Sequence, residues 1–364
     1  MTARLVIGIA FAGFVALGLP EGATGVAWPS IADEFGRPIG QLGLLIAALV
    51  VGYSVAAGFI GPITDRVGLG WALVGSSAAS AVGLFGMALA PTWPMVVVAM
   101  AVLGAGGGVV DAGLNAHVAL ERGARVMHLL HASFGVGATI GPALMTLFVV
   151  GSTSWRWGFA AIGVVQLGLG VLYLRTRTAW GAPEPPAPGR RRVDGAVVLS
   201  LAVFAVYTGL EVAAGQWAFS VLSEGRGVSV GAAGLAVTGF WGALTLGRLV
   251  AGAAGERWRP GPTLQVGLAL SVLGTALFWW APVMWVGAVG LLVVGLGLAP
   301  IFPMLTLLTP MRVGRERSTT VIGYQLTAAS IGAVAIPGGI GWLVGRSGLE
   351  VVAPVLVGAA LVLV

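Results

Sequence analysis

The sequence predicts an all-α integral membrane protein with twelve transmembrane helices in two pseudo-symmetric six-helix bundles, and three observations predict it. Of 364 residues, 57% are hydrophobic and only 9% are charged, against roughly 25% charged in a soluble domain. A membrane-crossing helix with its connection takes about 30 residues, since about 20 apolar residues traverse the hydrocarbon core, so the chain has room for about twelve crossings. Finally, two landmarks recur. Glu21 and Gly25, near Trp28, match Glu211 and Gly215, near Trp217, at an offset of 190, while Gly61, Asp65 and Arg66 match Gly252, Glu256 and Arg257 at an offset of 191. Features in the same order at nearly one offset mark a duplicated six-helix unit.

The apolar runs fall at about 5–30, 40–62, 70–90, 94–120, 127–151, 157–174, 196–222, 230–254, 262–281, 283–308, 318–344 and 349–364. Arg4 followed by the apolar stretch Leu5 to Leu19 has the form of a signal peptide, but many similar runs follow, and it is read as a retained first helix. The last run reaches Val364 after 16 residues, so the twelfth helix is expected to be short, trimmed, or continued in a tail beyond this sequence. Between the sixth and seventh runs lies the one long polar stretch, Arg175 to Gly195, with Pro183, Pro185, Pro186 and Pro188 ahead of Arg190, Arg191 and Arg192. It reads as a solvated linker that divides an N-terminal bundle, 1–174, from a C-terminal bundle, 196–364.

All 19 basic residues are arginine. With the N-terminus inside, fifteen of them fall in cytoplasmic gaps and flanks, and only Arg37, Arg156, Arg226 and Arg346 lie outside. That asymmetry predicts a multi-pass protein of the inner, cytoplasmic membrane with both termini in the cytosol. Because the arginines are spread through short gaps and form no basic stripe, nucleic acid is not an expected partner. The expected partners are the lipid bilayer, a small-molecule substrate and protons, with the chain acting as a monomer.

Composition also excludes chemistry. Without cysteine there is no disulfide framework and no thiolate site, and three histidines leave little for a metal. Without lysine there is no Walker motif, so nucleotide hydrolysis does not drive the protein. No cofactor and no metal are expected; an ion gradient, read as protons, is the energy source. An enzyme or receptor would need a catalytic cluster or a soluble sensor domain, and the sequence offers neither.

Most acids sit in gaps, but Glu21, Asp111 and Glu211 fall inside the first, fourth and seventh runs. An ionisable group at membrane depth costs several kcal/mol and normally faces a cavity or a partner. A carboxyl sheltered from water can load and release a proton near neutral pH, as a proton-coupled carrier requires. Helical spacing puts Glu21, Gly25 and Trp28 on one face, Tyr207, Glu211 and Gly215 on another, and Asp111 beside Asn115. An indole face with an N–H donor, beside carboxylate and amide acceptors, suits a polyhydroxylated ring. Each acid also has a structural alternative, a hydrogen-bonded carboxyl that fixes helix packing.

The stretch Gly61, Pro62, Ile63, Thr64, Asp65, Arg66, Val67, Gly68 resembles the loop signature of the major facilitator superfamily, with Leu69 and Gly70 where a basic pair usually follows. More locally, Glu21 to Pro29, Gly104 to Asn115, His131 to Pro142, Glu211 to Trp217 and Gly295 to Pro303 resemble the fucose-permease branch. The resemblance implies proton-driven uptake of sugar-like solutes, with helices 1, 4, 7 and 10 around a central cavity and two bundles rocking about a midplane site. Asp111 matches the branch's helix 4 acid, four residues before the asparagine that matches Asn115. The branch's helix 1 acid would fall near Gly25, one turn from Glu21.

Asp111, Glu21, Glu211 and His131 are therefore expected to couple protons, His131 with His128 as a relay. Glu21, Trp28, Asn115, Tyr207, Glu211, Gln216, Tyr324 and Gln325 are expected to bind the solute. Arg248 is read as a snorkelling or bracing charge. Asp65 with Arg66, and Glu256 with Arg257, are expected to latch and release helix ends as a gate. An alternative within the superfamily is a proton-linked exporter of drugs or metabolites, because Gly137 to Pro142 resembles an antiporter signature; the helix 4 arginine common in such exporters is missing.

Overall fold

Inside a bilayer, backbone N–H and C=O groups find partners only within a helix or a closed barrel, and the apolar runs fold as helices. The structure is a computed structural model and describes residues 3–121, 123–151, 153–180, 195–254, 259–281 and 283–364. The helices are α1 (Ala3–Glu34), α2 (Leu42–Gly58), α3 (Ile60–Leu89), α4 (Trp93–Glu121), α5 (Gly123–Val150), α6 (Trp155–Thr176), α7 (Gly195–Ser220), α8 (Val230–Ala254), α9 (Pro260–Trp280), α10 (Met284–Leu298), α11 (Ile301–Val313), α12 (Arg315–Ser347) and α13 (Val352–Val362). Among the described residues eleven spans are long and apolar enough to cross a membrane, with Met284–Val313 counted as one, and Leu349–Val362 is a shorter apolar helix. The tenth run is split between α10 and α11 because Pro300 has no N–H and its ring crowds the preceding turn.

One expected loop is helical. The signature residues from Gly61 to Val67 form the first turns of α3, where Pro62 is tolerated because first-turn N–H groups have no helical partner. The Thr64 hydroxyl lies 2.9 Å from Ile60 O, within the same turns. The break comes later, at Gly68, whose φ of 77° is open to glycine at no steric cost.

The chain divides into two compact units, Met1–Arg37 with Leu44–Pro185, and Pro38–Gly43 with Pro186–Val364. In the first, α1 packs on α5, and α3 packs on both α4 and α6. Its core gathers Phe14, Leu73, Leu114, Leu130, Tyr173 and Trp180. In the second, α7 packs on α12, and α9 packs on α10 and α13. The first helix on the fifth, the third on the fourth and the third on the sixth is thus the pairing scheme of both units. The expected duplication is therefore visible in the internal packing of each half. The turn Ile39–Gln41 packs on α12.

Candidate functional site

The first polar cluster lies within unit 1, where α2 and α4 come unusually close. A side chain at Gly104 would run into the backbone of Leu49, and one at Gly108 into the backbone of Tyr53. Small residues at such four-residue spacing let helices touch backbone to backbone. The contact brings Tyr53 to Asp111: the tyrosine hydroxyl donates to Asp111 Oδ2, and Asn115 Nδ2 donates to Oδ1 over 3.1 Å. Glu21, half-buried on α1, is within electrostatic reach of Tyr53. Among the described residues Asp111 has hydroxyl and amide partners but no ion pair.

The second cluster lies within unit 2. Arg248 of α8 extends to α7, where Nη2 lies 2.7 Å from Glu211 Oε2 and 3.1 Å from the Tyr207 hydroxyl. Tyr207 donates in turn to Glu211 Oε2. Arg248 is thus not a snorkelling charge at a helix end, because its side chain reaches a buried carboxylate in the bundle. Two turns along α8 from Arg248, the buried Trp241 ring packs over Gly215, where any side chain would collide with it.

The remaining expected residues are scattered. Trp28 is 0% exposed and its ring lies 5.9 Å from that of Trp93, so it is a core residue and presents no open stacking face. Gln325 is also enclosed: its Nε2 donates to Ser200 Oγ at 2.9 Å and Thr309 Oγ1 at 3.0 Å, which joins α12 to α7 and α11 instead of lining an open face. Gln216 is buried and Tyr324 half-buried. His131 is exposed, with its ring edge-on to Phe14 at 5.6 Å. Asp65 and Arg66 are exposed at the start of α3. Glu256, Arg257 and the His128 side chain lie outside the described residues.

Tyr53 lies on a different helix from the acid it meets, so the helix face of Asp111 alone does not reveal it. Its signal was there, as one of only four tyrosines, centred in an otherwise apolar run. Its pairing with α4 depends on the glycine contacts and no spacing along one helix could reveal it.

Two repeats of one helix pairing, with carboxyls on membrane-crossing helices, define a polytopic membrane protein built from a duplicated helical unit. The Major Facilitator Superfamily matches residues 9–337, and the chain belongs to that superfamily. Sodium-dependent glucose transporter 1A of Mus musculus is 26% identical, over 92% of this chain and 89% of that protein. Sodium-dependent glucose transporter 1 of Homo sapiens is 25% identical, over 92% and 73%. Among solved structures, a D-xylose-proton symporter superposes with a TM-score of 0.80 at 13% identity, over 100% of this chain and 97% of that one. A nucleoside transporter, NupG, superposes with a TM-score of 0.75 at 12% identity, over 99% and 98%.

Proposed function

We propose that this transporter is a secondary active carrier that symports protons with a small polar, sugar-like solute by alternating access. One contrast carries the reading. Asp111 is held by two neutral donors, whereas Glu211 is already balanced by Arg248. A carboxyl without a counter-ion at membrane depth favours the protonated form in one state and can release the proton in another, while a paired carboxylate has little reason to do so. Asp111, with Glu21 and Tyr53 beside it, takes the coupling role, and His131 the exposed relay. The Glu211, Arg248 and Tyr207 cluster takes the solute-recognition role together with Gln216, because fixed donors and acceptors reject analogues that leave them unpaired. The names of the relatives and of the first structural neighbour support a sugar as solute. Neither an organic cofactor nor a metal is part of the cycle. The chain would work as a monomer in the inner membrane with both termini in the cytosol.

The exporter alternative rests on Gly137 to Pro142, and a packing role for its glycines is the reading we favour. Side chains at Gly137 and Gly141 would strike the backbone of α1 at Val15 and Leu19, so helix packing accounts for those glycines.

The test is uptake of labelled hexoses, pentoses and nucleosides into proteoliposomes under an imposed proton gradient or sodium gradient, each alone. Accumulation driven by protons and abolished in Asp111→Asn, with solute exchange retained, supports the reading. Accumulation driven by sodium alone, or normal accumulation in Asp111→Asn, refutes the proton assignment.

A further inference from the structure

Within unit 2 a recess of about 360 Å³ opens between the π-helical turn Val221–Gly225, the α9–α10 connection and Glu350. Arg226 and Glu350 are the only charged residues among those that line it. Arg226 Nη1 donates to Phe278 O at 2.7 Å, and Nε and Nη2 donate to Glu350 Oε1 and Oε2 at 3.4 and 3.3 Å. A guanidinium carries five N–H donors, so two remain beyond these three. Each Glu350 oxygen keeps lone-pair capacity, and that side chain is 60% exposed. The recess therefore presents a cation and an anion side by side, both able to bind more.

Its surroundings are equally specific. Exposed apolar residues form a stripe along α9, Val266, Leu273 and Trp280, each seven residues from the next, and a second along α10, Trp285, Val289, Leu292 and Leu296. Trp280, at the end of the α9 stripe, lines the recess, and Trp285 follows Met284, which also lines it; tryptophan is the residue enriched where membrane meets water. A ligand that uses the recess and the stripes together has a small zwitterionic head and an apolar tail.

We propose that the recess binds the headgroup of a phospholipid of the phosphoethanolamine type, with the phosphodiester on Arg226, the primary ammonium on Glu350 and an acyl chain along the stripes. A phosphocholine head has no N–H to give the Glu350 carboxylate, and an anionic glycerol head gives that carboxylate no cation. A free sugar would leave the stripes unused.

Native mass spectrometry of the full chain, released from detergent holding equal amounts of dioleoyl phosphatidylethanolamine, phosphatidylcholine and phosphatidylglycerol, tests this. The ethanolamine lipid should be retained about fivefold over either competitor, and Arg226→Gln should remove that excess. Because Arg226→Gln also strips a bond from Phe278, Gly287→Phe serves as a second variant. A Cβ there would meet Ala281 Cβ at 3.4 Å, Leu222 Cδ2 at 3.7 Å and Arg226 Nη1 at 3.8 Å, ordinary van der Waals contacts, so this lining position admits a side chain that takes up space in the recess while both charged residues stay in the sequence. Gly287→Phe should lose the ethanolamine lipid at an unchanged melting temperature. Equal retention of the three lipids, or undiminished ethanolamine-lipid retention in Gly287→Phe, overturns the proposal. Displacement of the lipid by millimolar hexose overturns it in favour of a solute vestibule.

Discussion

Arg248 Nη2 lies 2.7 Å from Glu211 Oε2, with the Tyr207 hydroxyl bonded to both residues. The two side chains are only 15% and 11% exposed, so each is the other's principal counter-charge. Removing one partner of a buried pair leaves the survivor uncompensated, at a cost of roughly 3–5 kcal/mol, while replacing both by apolar groups of similar volume is often close to neutral. Glu211→Ala and Arg248→Ala should each lower the melting temperature of the purified protein sharply. Glu211→Leu combined with Arg248→Met should recover most of the loss and abolish solute binding. A double variant no more stable than the single ones would show that the pair is not the source of the effect.

Tyr53 acts on Asp111 from a different helix, so its removal separates coupling from binding. Tyr53→Phe keeps the ring and deletes the one hydroxyl that meets Oδ2. Proton-driven accumulation should fall about tenfold or more while solute exchange at equilibrium stays near the unaltered rate, since a lost charge-assisted hydrogen bond is worth about 1.5–3 kcal/mol. Equal loss of both activities would mean that Tyr53 serves only to pack α2 on α4.

Trp28 was expected at the solute and is found in the core against Trp93. A fully buried tryptophan cut to alanine costs about 3–5 kcal/mol. Trp28→Ala should therefore destabilise the protein, and Trp28→Phe should restore stability and keep solute affinity within about twofold, because the phenyl ring refills most of the space. Calorimetry at matched melting temperature distinguishes the two roles. A well-folded Trp28→Phe that has lost affinity would return Trp28 to the binding site.

These cases show how far the sequence is legible. Helix number and the duplication follow from hydropathy and from landmarks at a fixed offset, because a bilayer leaves an apolar run no other structure. Asp111 and Asn115 could be paired from four-residue spacing, which is geometry within one helix. Tyr53 with Asp111, and Arg248 with Glu211, join different helices, and their register depends on glycine contacts that composition does not encode. Trp28 lies in the core for a related reason: the face it shares with Glu21 turns toward Trp93 at its far end. Glycine and proline usually punctuate turns, so the superfamily signature reads as a loop, yet Pro62 sits in a helix's first turn and Gly68 is where the helical path breaks.

The arginine distribution makes a prediction about sidedness. The chain has no cysteine, so single cysteines can be introduced at Arg191, Arg226 and Arg315 in an otherwise unreactive protein. A membrane-impermeant maleimide applied to intact cells should label position 226 and spare 191 and 315. Labelling at 191 without labelling at 226 would invert the topology.

Arg156 and Glu34 offer the last test, and it turns on which of two roles dominates. Arg156 Nη2 lies 2.6 Å from Glu34 Oε1, and Trp155 Nε1 donates to Glu34 Oε2 at 2.7 Å. The same guanidinium donates to Ala88 O and Ala90 O, at 2.9 and 2.8 Å, which are open carbonyls at the end of α3. Unit 2 repeats the arrangement with the charges exchanged, because Arg226 follows α7, Glu350 precedes α13, and Phe278 O near the end of α9 accepts from Arg226. Glu34 is 40% exposed, so solvent screens the ion pair to about 1 kcal/mol or less. Losing the guanidinium leaves two carbonyls without a donor, at about 1–3 kcal/mol each where water cannot replace it. Arg156→Ala should therefore depress the melting temperature clearly more than Glu34→Gln, and Arg156→Lys should recover only part of the loss because an ammonium cannot span both carbonyls and the carboxylate. If Glu34→Gln proves the more damaging change in thermal unfolding, the ion pair and not the capping of α3 holds this corner of the fold.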